Sequence, residues 1–117
     1  MNIMRKKYAR LFDPIRIGKV EIKNRIAMAP MGIFGLISPM GAFSQRAIDY
    51  YVERARGGTG LIITTAVKVE DDLEKHPIPY QANISINPTH FIQSASELTE
   101  AVHAYGTRIF IQLQYQG

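Results

Sequence analysis

The sequence predicts an α/β protein in which short apolar strands alternate with amphipathic helices and pair in a parallel sheet. Two apolar runs, over 25–29 and 61–67, lack polar alternation, as is typical of strands covered on both faces. Apolar residues recur at helical spacing over 45–56 and 88–105, and a third strand pattern follows at 108–113. The predicted order is a hairpin followed by βαβαβ, which is a pair of crossover units.

Composition limits the function classes that need consideration. The chain has 117 residues, an apolar fraction of 46% and a formal net charge of +4, which predicts a single globular domain. It has no cysteine, so a disulfide, an iron–sulfur cluster or a thiolate zinc site cannot form from its own residues. The three histidines are widely separated, so we expect no metal site. Neither a bilayer-length apolar run nor a signal-type core is present, and we therefore expect a cytoplasmic protein.

Positive charge is concentrated in the first 25 residues, which contain eight Lys and Arg but only two acidic residues. A basic end can bind nucleic acid or a membrane surface, and such binding would weaken steeply with salt. No aromatic interleaving, zinc-ligand spacing or recognition-helix signature accompanies it. We therefore interpret it as a solvated segment and expect neither a nucleic-acid nor a membrane partner.

The first element is a hairpin over 15–22. Ile15-Arg16-Ile17 and Val20-Glu21-Ile22 alternate and are separated by Gly18-Lys19, a glycine-first connection that fits a type II′ turn. The strand over 25–29 then ends at Pro30, which has no N–H to give to a sheet. Gly32 allows a close turn over the carboxyl end of this strand, which is where parallel α/β folds bind ligands. A core strand that simply ends at proline is the alternative.

The loop over 32–43 is unusually apolar and either packs under a neighbour or faces a ligand. Ser44 is a suitable N-cap for the helix over 45–56, and the next strand is predicted over 61–67. Residues 68–86 show neither period and predict a long loop. Asn87-Pro88 begins the helix over 88–105, as an N-cap followed by proline at the first helical position.

Gln112 is the polar residue within the third strand, over 108–113. If its amide is buried, leaving it unpaired costs about 1–3 kcal/mol. The amide offers one donor group and one acceptor, so it can bind a ligand or be satisfied within the core. The residues alone leave both possibilities open.

Alternating strands and helices fit a barrel or a doubly wound sheet. No Gly-x-Gly-x-x-Gly turn follows the first strand, so a Rossmann dinucleotide site is poorly supported.

Longer motifs carry a resemblance to a known family. The stretch 24–31, preceded by 11–18, resembles the amino terminus of the old yellow enzyme family of flavin-dependent oxidoreductases. The similarity continues through 50–51, 54–64, 102–106 and Gln112-Leu113, and so covers nearly the whole chain. It implies the first three βα-type units of a TIM (β/α)8 barrel, preceded by a hairpin that plugs the amino-terminal end. The barrel is incomplete in this chain and its third strand would present an open edge.

The resemblance also implies FMN as the cofactor. It assigns flavin contact to six residues at the strand ends: Ala29, Pro30, Met31, Gly32, Ala66 and Gln112. The first five of these residues would contact the flavin mostly through their main chain. The Gln112 side-chain amide would bind the flavin edge that carries both a hydrogen-bond donor and an acceptor. Many family members carry threonine or cysteine where this chain has Gly32, so that tuning hydrogen bond would be absent or supplied elsewhere.

Within that family, the chain is most similar to the enoate reductase and 2,4-dienoyl-CoA reductase branch. This similarity is carried by Gly32, residues 45–55 and residues 68–70. That similarity implies reduction of activated C=C bonds in enoates or enoyl-CoA-type thioesters, with NADH or NADPH as the reductant. An iron–sulfur cluster and FAD would belong only to a longer full-length protein. The carbonyl-polarising pair and the tyrosine proton donor lie on later strands of the family, so no catalytic residue is assigned. We expect the chain alone to be inactive.

A non-catalytic role is the alternative. An open-edged βαβαβ unit could self-associate, or pair with a second chain that completes the barrel.

Overall fold

The computed structural model describes residues 6–70 and 81–115. Strands β1 (Ile15–Ile17) and β2 (Val20–Ile22) form an antiparallel hairpin, and β3 (Ala27–Met28), β4 (Leu61–Lys68) and β5 (Arg108–Gln114) form a parallel sheet in the order β3-β4-β5. Helices α1 (Gln45–Arg56) and α2 (Pro88–His103) connect the parallel strands. The fold is therefore a hairpin followed by βαβαβ.

Both helices begin where their capping residues predict. The Ser44 side chain accepts from the Ala47 N–H, and the Asn87 side chain accepts from the His90 N–H. Helix α1 has the predicted bounds, whereas α2 ends at His103, two residues before the predicted end. Its last turn tightens into shorter-range bonds and Gly106 adopts a φ of 75°, which ends the helix.

The hydrophobic core lies between the helices and one face of the sheet. Helix α1 contributes Tyr51 and Ala55, helix α2 contributes Leu98 and Val102, and β4 contributes Ile62; all are at most 1% exposed. In the described residues, no helix is long and apolar enough to cross a bilayer. Burial of the apolar faces of α1 and α2 against the sheet stabilises the βαβαβ part of the fold.

The predicted strand over 25–29 is shorter and less covered than expected. Only Ala27 and Met28 pair with β4, and Ala27 and Ala29 are exposed. The Asn24 side chain accepts from the Ile26 N–H at 3.0 Å, and regular pairing with β4 begins at Ala27, two residues after the predicted start. The prediction of cover on both faces was wrong because both helices pack on the same face of this sheet.

The hairpin lies at the amino-terminal ends of the parallel strands. Ile15, Ile17 and Ile22 line a small apolar hollow together with Ala27 and Leu61, the first residues of β3 and β4. Gly18 has a φ of 59°, the positive value that a glycine-first hairpin turn requires.

The apolar loop after β3 is partly packed and partly exposed. It contains a 3-10 turn over Phe34–Leu36 and a β-bridge between Ile37 and Phe43. The side chains of Ile37 and Phe43 are buried, whereas those of Phe34 and Met40 are exposed. The expectation of a packed loop therefore holds for part of its side chains.

The loop predicted over 68–86 begins one residue later than expected and is tied to the sheet near its end. Lys68 belongs to β4 and forms a parallel bridge with Asn83, and backbone bonds to Ala82 and Ile84 flank that bridge. Residues 71–80 lie outside the described part of the chain.

Candidate functional site

The predicted site residues lie within or directly after the three parallel strands, and two of them are brought together by the sheet register. Ala66 of β4 and Gln112 of β5 are register partners. Residues 29–32 directly follow β3, whose last residue, Met28, pairs with Ile62 near the start of β4. Parallel α/β folds bind ligands at the carboxyl ends of their strands.

A β-bulge in β4 decides which way Ala66 faces. Three residue steps separate Ile63 from Ala66 on β4, whereas two steps separate their partners Phe110 and Gln112 on β5. Ile62 and Val67 both pack in the helix-side core, although they are five residues apart and strict alternation would place them on opposite faces. The extra residue restores the alternation, so Ala66 lies on the helix-free face.

Gln112 shares this face. It is the register partner of Ala66, and partners in a parallel pair point to the same side of a sheet. The two neighbours of Gln112 in β5 are placed differently. Ile111 lies opposite the bulge, and Leu113 pairs with the core residue Val67. Ala66 and Gln112 therefore lie side by side on the helix-free face.

Side chains satisfy the backbone groups around the bulge. The Thr65 N–H donates to the Tyr51 hydroxyl at 2.8 Å, and the Thr64 hydroxyl donates to the Thr65 carbonyl at 2.9 Å. The Gln112 N–H in turn lies 3.4 Å from the Thr64 hydroxyl oxygen, to which it donates. Because Thr64 and Thr65 are at most 2% exposed, water cannot replace these bonds readily.

Tyr51 is placed for this contact by α1. Its ring packs edge-on against Phe43, with the centroids 6.3 Å apart, and the residue is 1% exposed. Burial raises the pKa of the Tyr51 hydroxyl above its ordinary value, although the hydrogen bond from Thr65 acts in the opposite direction. The hydroxyl therefore stays neutral at physiological pH and accepts the Thr65 N–H through its oxygen.

The segment after β3 presents main chain to solvent. Met31 is 49% exposed, Gly32 is also exposed, and neither forms a backbone hydrogen bond with another described residue. A Cβ on Gly32 would lie 2.8 Å from the ring of Phe34, which is itself exposed and able to move. This segment can therefore offer free amide and carbonyl groups to a ligand.

The Gln112 side chain is exposed, which corrects the sequence-based picture of a buried amide. The desolvation penalty expected for a buried glutamine does not apply here, because the face on which it lies carries no covering element among residues 6–70 and 81–115. Its amide is free to bind a ligand on that face.

A pair of hydrogen-bonded glutamines lies near the carboxyl end of β5. The Gln81 amide nitrogen donates to Gln114 at 2.6 Å, and the Gln81 oxygen is the buried side-chain atom that lacks a hydrogen-bond partner in the described structure. It is an acceptor without a donor, close to the strand ends. Within the described residues, no cluster of three or more His, Asp or Glu is placed to hold a metal ion.

These features fit one edge of a flavin ring system. Ala29 and Ala66 are small enough for a flat ring to approach the backbone, and the Gln112 amide offers a donor and an acceptor. The exposed main chain after β3 offers further groups of both kinds.

The bulge and its supports were not predicted from the sequence. Tyr51 entered the predictions only as a residue of the helix over 45–56 and of the stretch 50–51 in the family resemblance, and residues 61–67 were predicted to be an uninterrupted strand. The adjacent threonines at 64 and 65, in an otherwise apolar strand, were the available signal, because buried hydroxyls require hydrogen-bond partners.

Comparisons with known proteins agree with the motifs. Residues 10–117 match the NADH:flavin oxidoreductase / NADH oxidase family. The chain is 52% identical to a cinnamate reductase of Clostridium sporogenes over 110 residues, and 42% identical to an NADH oxidase of Thermoanaerobacter brockii over the same number. Each alignment covers 94% of this chain but only 16% of the relative, so the chain spans about a sixth of the length of these proteins.

Solved structures give the same result for the fold. The old yellow enzyme homologue of Zymomonas mobilis superposes with a TM-score of 0.76 at 34% identity, covering 92% of this chain and 28% of that one. The old yellow enzyme of a Pichia species gives a TM-score of 0.79 at 28% identity, covering 92% of this chain and 27% of that one.

These neighbours are TIM barrels, and the present chain corresponds to a partial α/β region of such a barrel, with its sheet left open. The chain thus belongs to the NADH:flavin oxidoreductase / NADH oxidase family of FMN-dependent enzymes, which includes old yellow enzyme, and is related within it to the enoate reductases.

Proposed function

We propose that this chain contributes part of the flavin site of an FMN-dependent oxidoreductase that reduces activated C=C bonds of enoates or enoyl thioesters. The observation that carries the proposal is the pairing of Ala66 with Gln112 on the helix-free face of the sheet, and the exposed segment after Met28 supports it. A flavin lying on this face would meet small side chains, free main-chain groups and one amide.

Each group has a distinct role in the proposal. Bound FMN supplies the hydride-transfer chemistry, which protein side chains cannot provide. Gln112 orients the ring by hydrogen bonding through its amide, and Ala66 allows close approach. Residues 29–32 hold the adjacent part of the ring through their main chain.

The substrate class rests on the relatives. The cinnamate reductase, with 52% identity, is named for an enoate substrate, which favours an activated double bond next to a carboxylate. Relatives named NADH oxidase and NADPH dehydrogenase favour a nicotinamide reductant without choosing between the two forms. The much greater length of the first two relatives leaves room for further domains, where an iron–sulfur cluster and FAD would lie.

Flavin binding can be measured directly. FMN titrated into the purified chain should show saturable, roughly one-to-one quenching of flavin fluorescence. Gln112→Ala should weaken binding about threefold to tenfold, the effect of one ordinary hydrogen bond. Gln93→Ala removes an exposed glutamine from α2 and is the matched control, for which no change is expected. Absence of FMN binding, or equal effects of the two variants, would contradict the proposal.

We expect the chain alone not to reduce enoates, because neither a proton donor nor a carbonyl-polarising pair is assigned to it. NADH-dependent reduction of cinnamate by the purified chain would contradict this expectation.

A second role, in chain association, is favoured by the exposed edge of the sheet. Strand β5 is an edge strand, and Leu113 is 66% exposed. If copies of the chain pair through this edge, light scattering should show association that rises with concentration. Leu113→Lys should reduce it, whereas Ile92→Lys, at a 58% exposed position on α2, should not.

A further inference from the structure

The Tyr51 hydroxyl lies behind the candidate flavin site rather than in it. It accepts a hydrogen bond from the Thr65 N–H within the β4 bulge, the irregularity that brings Ala66 to the helix-free face. We infer that Tyr51 is a positioning residue, which fixes the orientation of Ala66 and Gln112 for the flavin from the opposite side of the sheet. This inference rests on the proposed function, since it concerns the same site.

The first step of the argument is the need for the bulge. Ile62 and Val67 are both fully buried in the helix-side core, five positions apart. A regular strand could bury only one of them on that face. With one extra residue both are buried, and Ala66 turns toward the face that carries Gln112.

The second step is the cost of the bulge. A bulge removes a residue from the sheet ladder and leaves its backbone groups without their normal partners. Thr65 is 2% exposed, so its N–H must find a partner inside the protein. Tyr51 supplies that partner at 2.8 Å, reaching across from α1.

The third step connects the bulge to Gln112. The Thr64 hydroxyl donates to the Thr65 carbonyl at 2.9 Å and accepts from the Gln112 N–H at 3.4 Å. The backbone of Gln112 is therefore linked to the bulge that Tyr51 supports. Displacement of the bulge would move Ala66 and Gln112 together.

Tyr51→Phe removes only the hydroxyl and is the direct test. Tyr50→Phe is a matched control, because it removes a hydroxyl from the preceding residue of α1 but keeps the ring, which packs edge-on against Tyr51 with the centroids 5.6 Å apart and lies 3.7 Å from the Arg54 guanidinium carbon. Ile48→Val is a second control, since it loosens the core on the same helix without removing a polar group. Urea unfolding of each variant measures how far stability alone changes.

The primary readout is the set of backbone amide NMR signals of the chain without flavin. In Tyr51→Phe we expect the signals of Thr65, Ala66 and Gln112 to move, while Ile48→Val and Tyr50→Phe leave them in place. Thr64→Val removes the hydroxyl that links the two strands and should move the Gln112 signal, which gives a second variant if Tyr51→Phe does not fold. Unmoved Ala66 and Gln112 signals in the folded variants would overturn the inference.

The second readout is FMN affinity. Tyr51→Phe should weaken FMN binding about threefold to tenfold, as the loss of one ordinary hydrogen bond would, and Ile48→Val, although destabilised, should bind like the wild type. Equal weakening in both would show that Tyr51 acts only through stability and would overturn the inference. A wild-type chain that binds no FMN would instead overturn the proposed function, and with it the flavin part of this inference, while the amide signals still decide whether Tyr51 holds the bulge.

Discussion

Asn24→Ala should destabilise the chain strongly, because the Asn24 side chain bonds two backbone groups in different parts of the fold. Asn24 is 9% exposed and joins the start of β3 to the turn between α1 and β4. Its amide nitrogen donates to the Gly58 carbonyl at 2.7 Å, and its oxygen accepts from the Ile26 N–H at 3.0 Å. Alanine would leave both backbone groups without their partner.

The magnitude follows from those two bonds. Each contributes about 1 kcal/mol net, and an unsatisfied buried group costs about 1–3 kcal/mol. Gly58 and Ile26 are half-buried, so water would recover part of the loss. We therefore expect the free energy of unfolding to fall by about 2–3 kcal/mol.

Urea unfolding followed by circular dichroism would measure this change. Lys23→Met is the control, because it also removes a side-chain bond to a distant carbonyl, that of Tyr105 at 2.6 Å, but in an exposed position. Exposed substitutions typically change stability by about 0.5 kcal/mol or less. If Asn24→Ala and Lys23→Met cost the same, the reasoning from burial is wrong.

Three further perturbations have defined outcomes. Gly41→Ala should lower stability by about 2–4 kcal/mol in urea unfolding, because Gly41 has a φ of 79° and an added Cβ would lie 2.6 Å from the Asn83 carbonyl oxygen; a change under about 1 kcal/mol would contradict this. Gly32→Thr should change stability by less than about 1 kcal/mol, since the added Cβ meets only the exposed Phe34 ring, and a large loss would show that the ring cannot move. Burial raises the pKa of Tyr51 above 10.0, so the unfolded chain releases this proton first and stability should fall as pH rises above about 10; Tyr51→Phe should show a shallower alkaline decline, and an identical slope would contradict the assignment.

The helices were predictable because their ends are encoded locally. Ser44 and Asn87 are N-caps in the sequence and in the structure, and the bounds of α1 match the prediction. The end of α2 was missed by two residues because the last turn changes its hydrogen bonding before Gly106, which composition does not reveal.

The strands were predictable in position but not in detail. A continuous apolar run such as 61–67 carries no alternation, so a bulge within it leaves no periodic signal. The exposure of Ala27 and Gln112 was also missed, because cover on the helix-free face depends on elements that these residues do not themselves encode.

The candidate site, like the strands, was predictable in position but not in detail. The family resemblance assigned Ala66 and Gln112 to one site, and the structure makes them register partners on neighbouring strands. The part played by Tyr51 could not be predicted. A tyrosine at helical spacing among apolar residues has the same sequence pattern whether its hydroxyl supports a bulge or only reaches solvent.

The most direct measurement is a titration of FMN into the isotopically labelled chain, followed by backbone amide NMR. We expect saturable shifts at Met31, Gly32, Ala66 and Gln112, on the helix-free face, with little change at exposed positions of α2 such as Gln93. Shifts spread over the basic residues at the start of the chain, or no shifts at all, would contradict a flavin site at the strand ends.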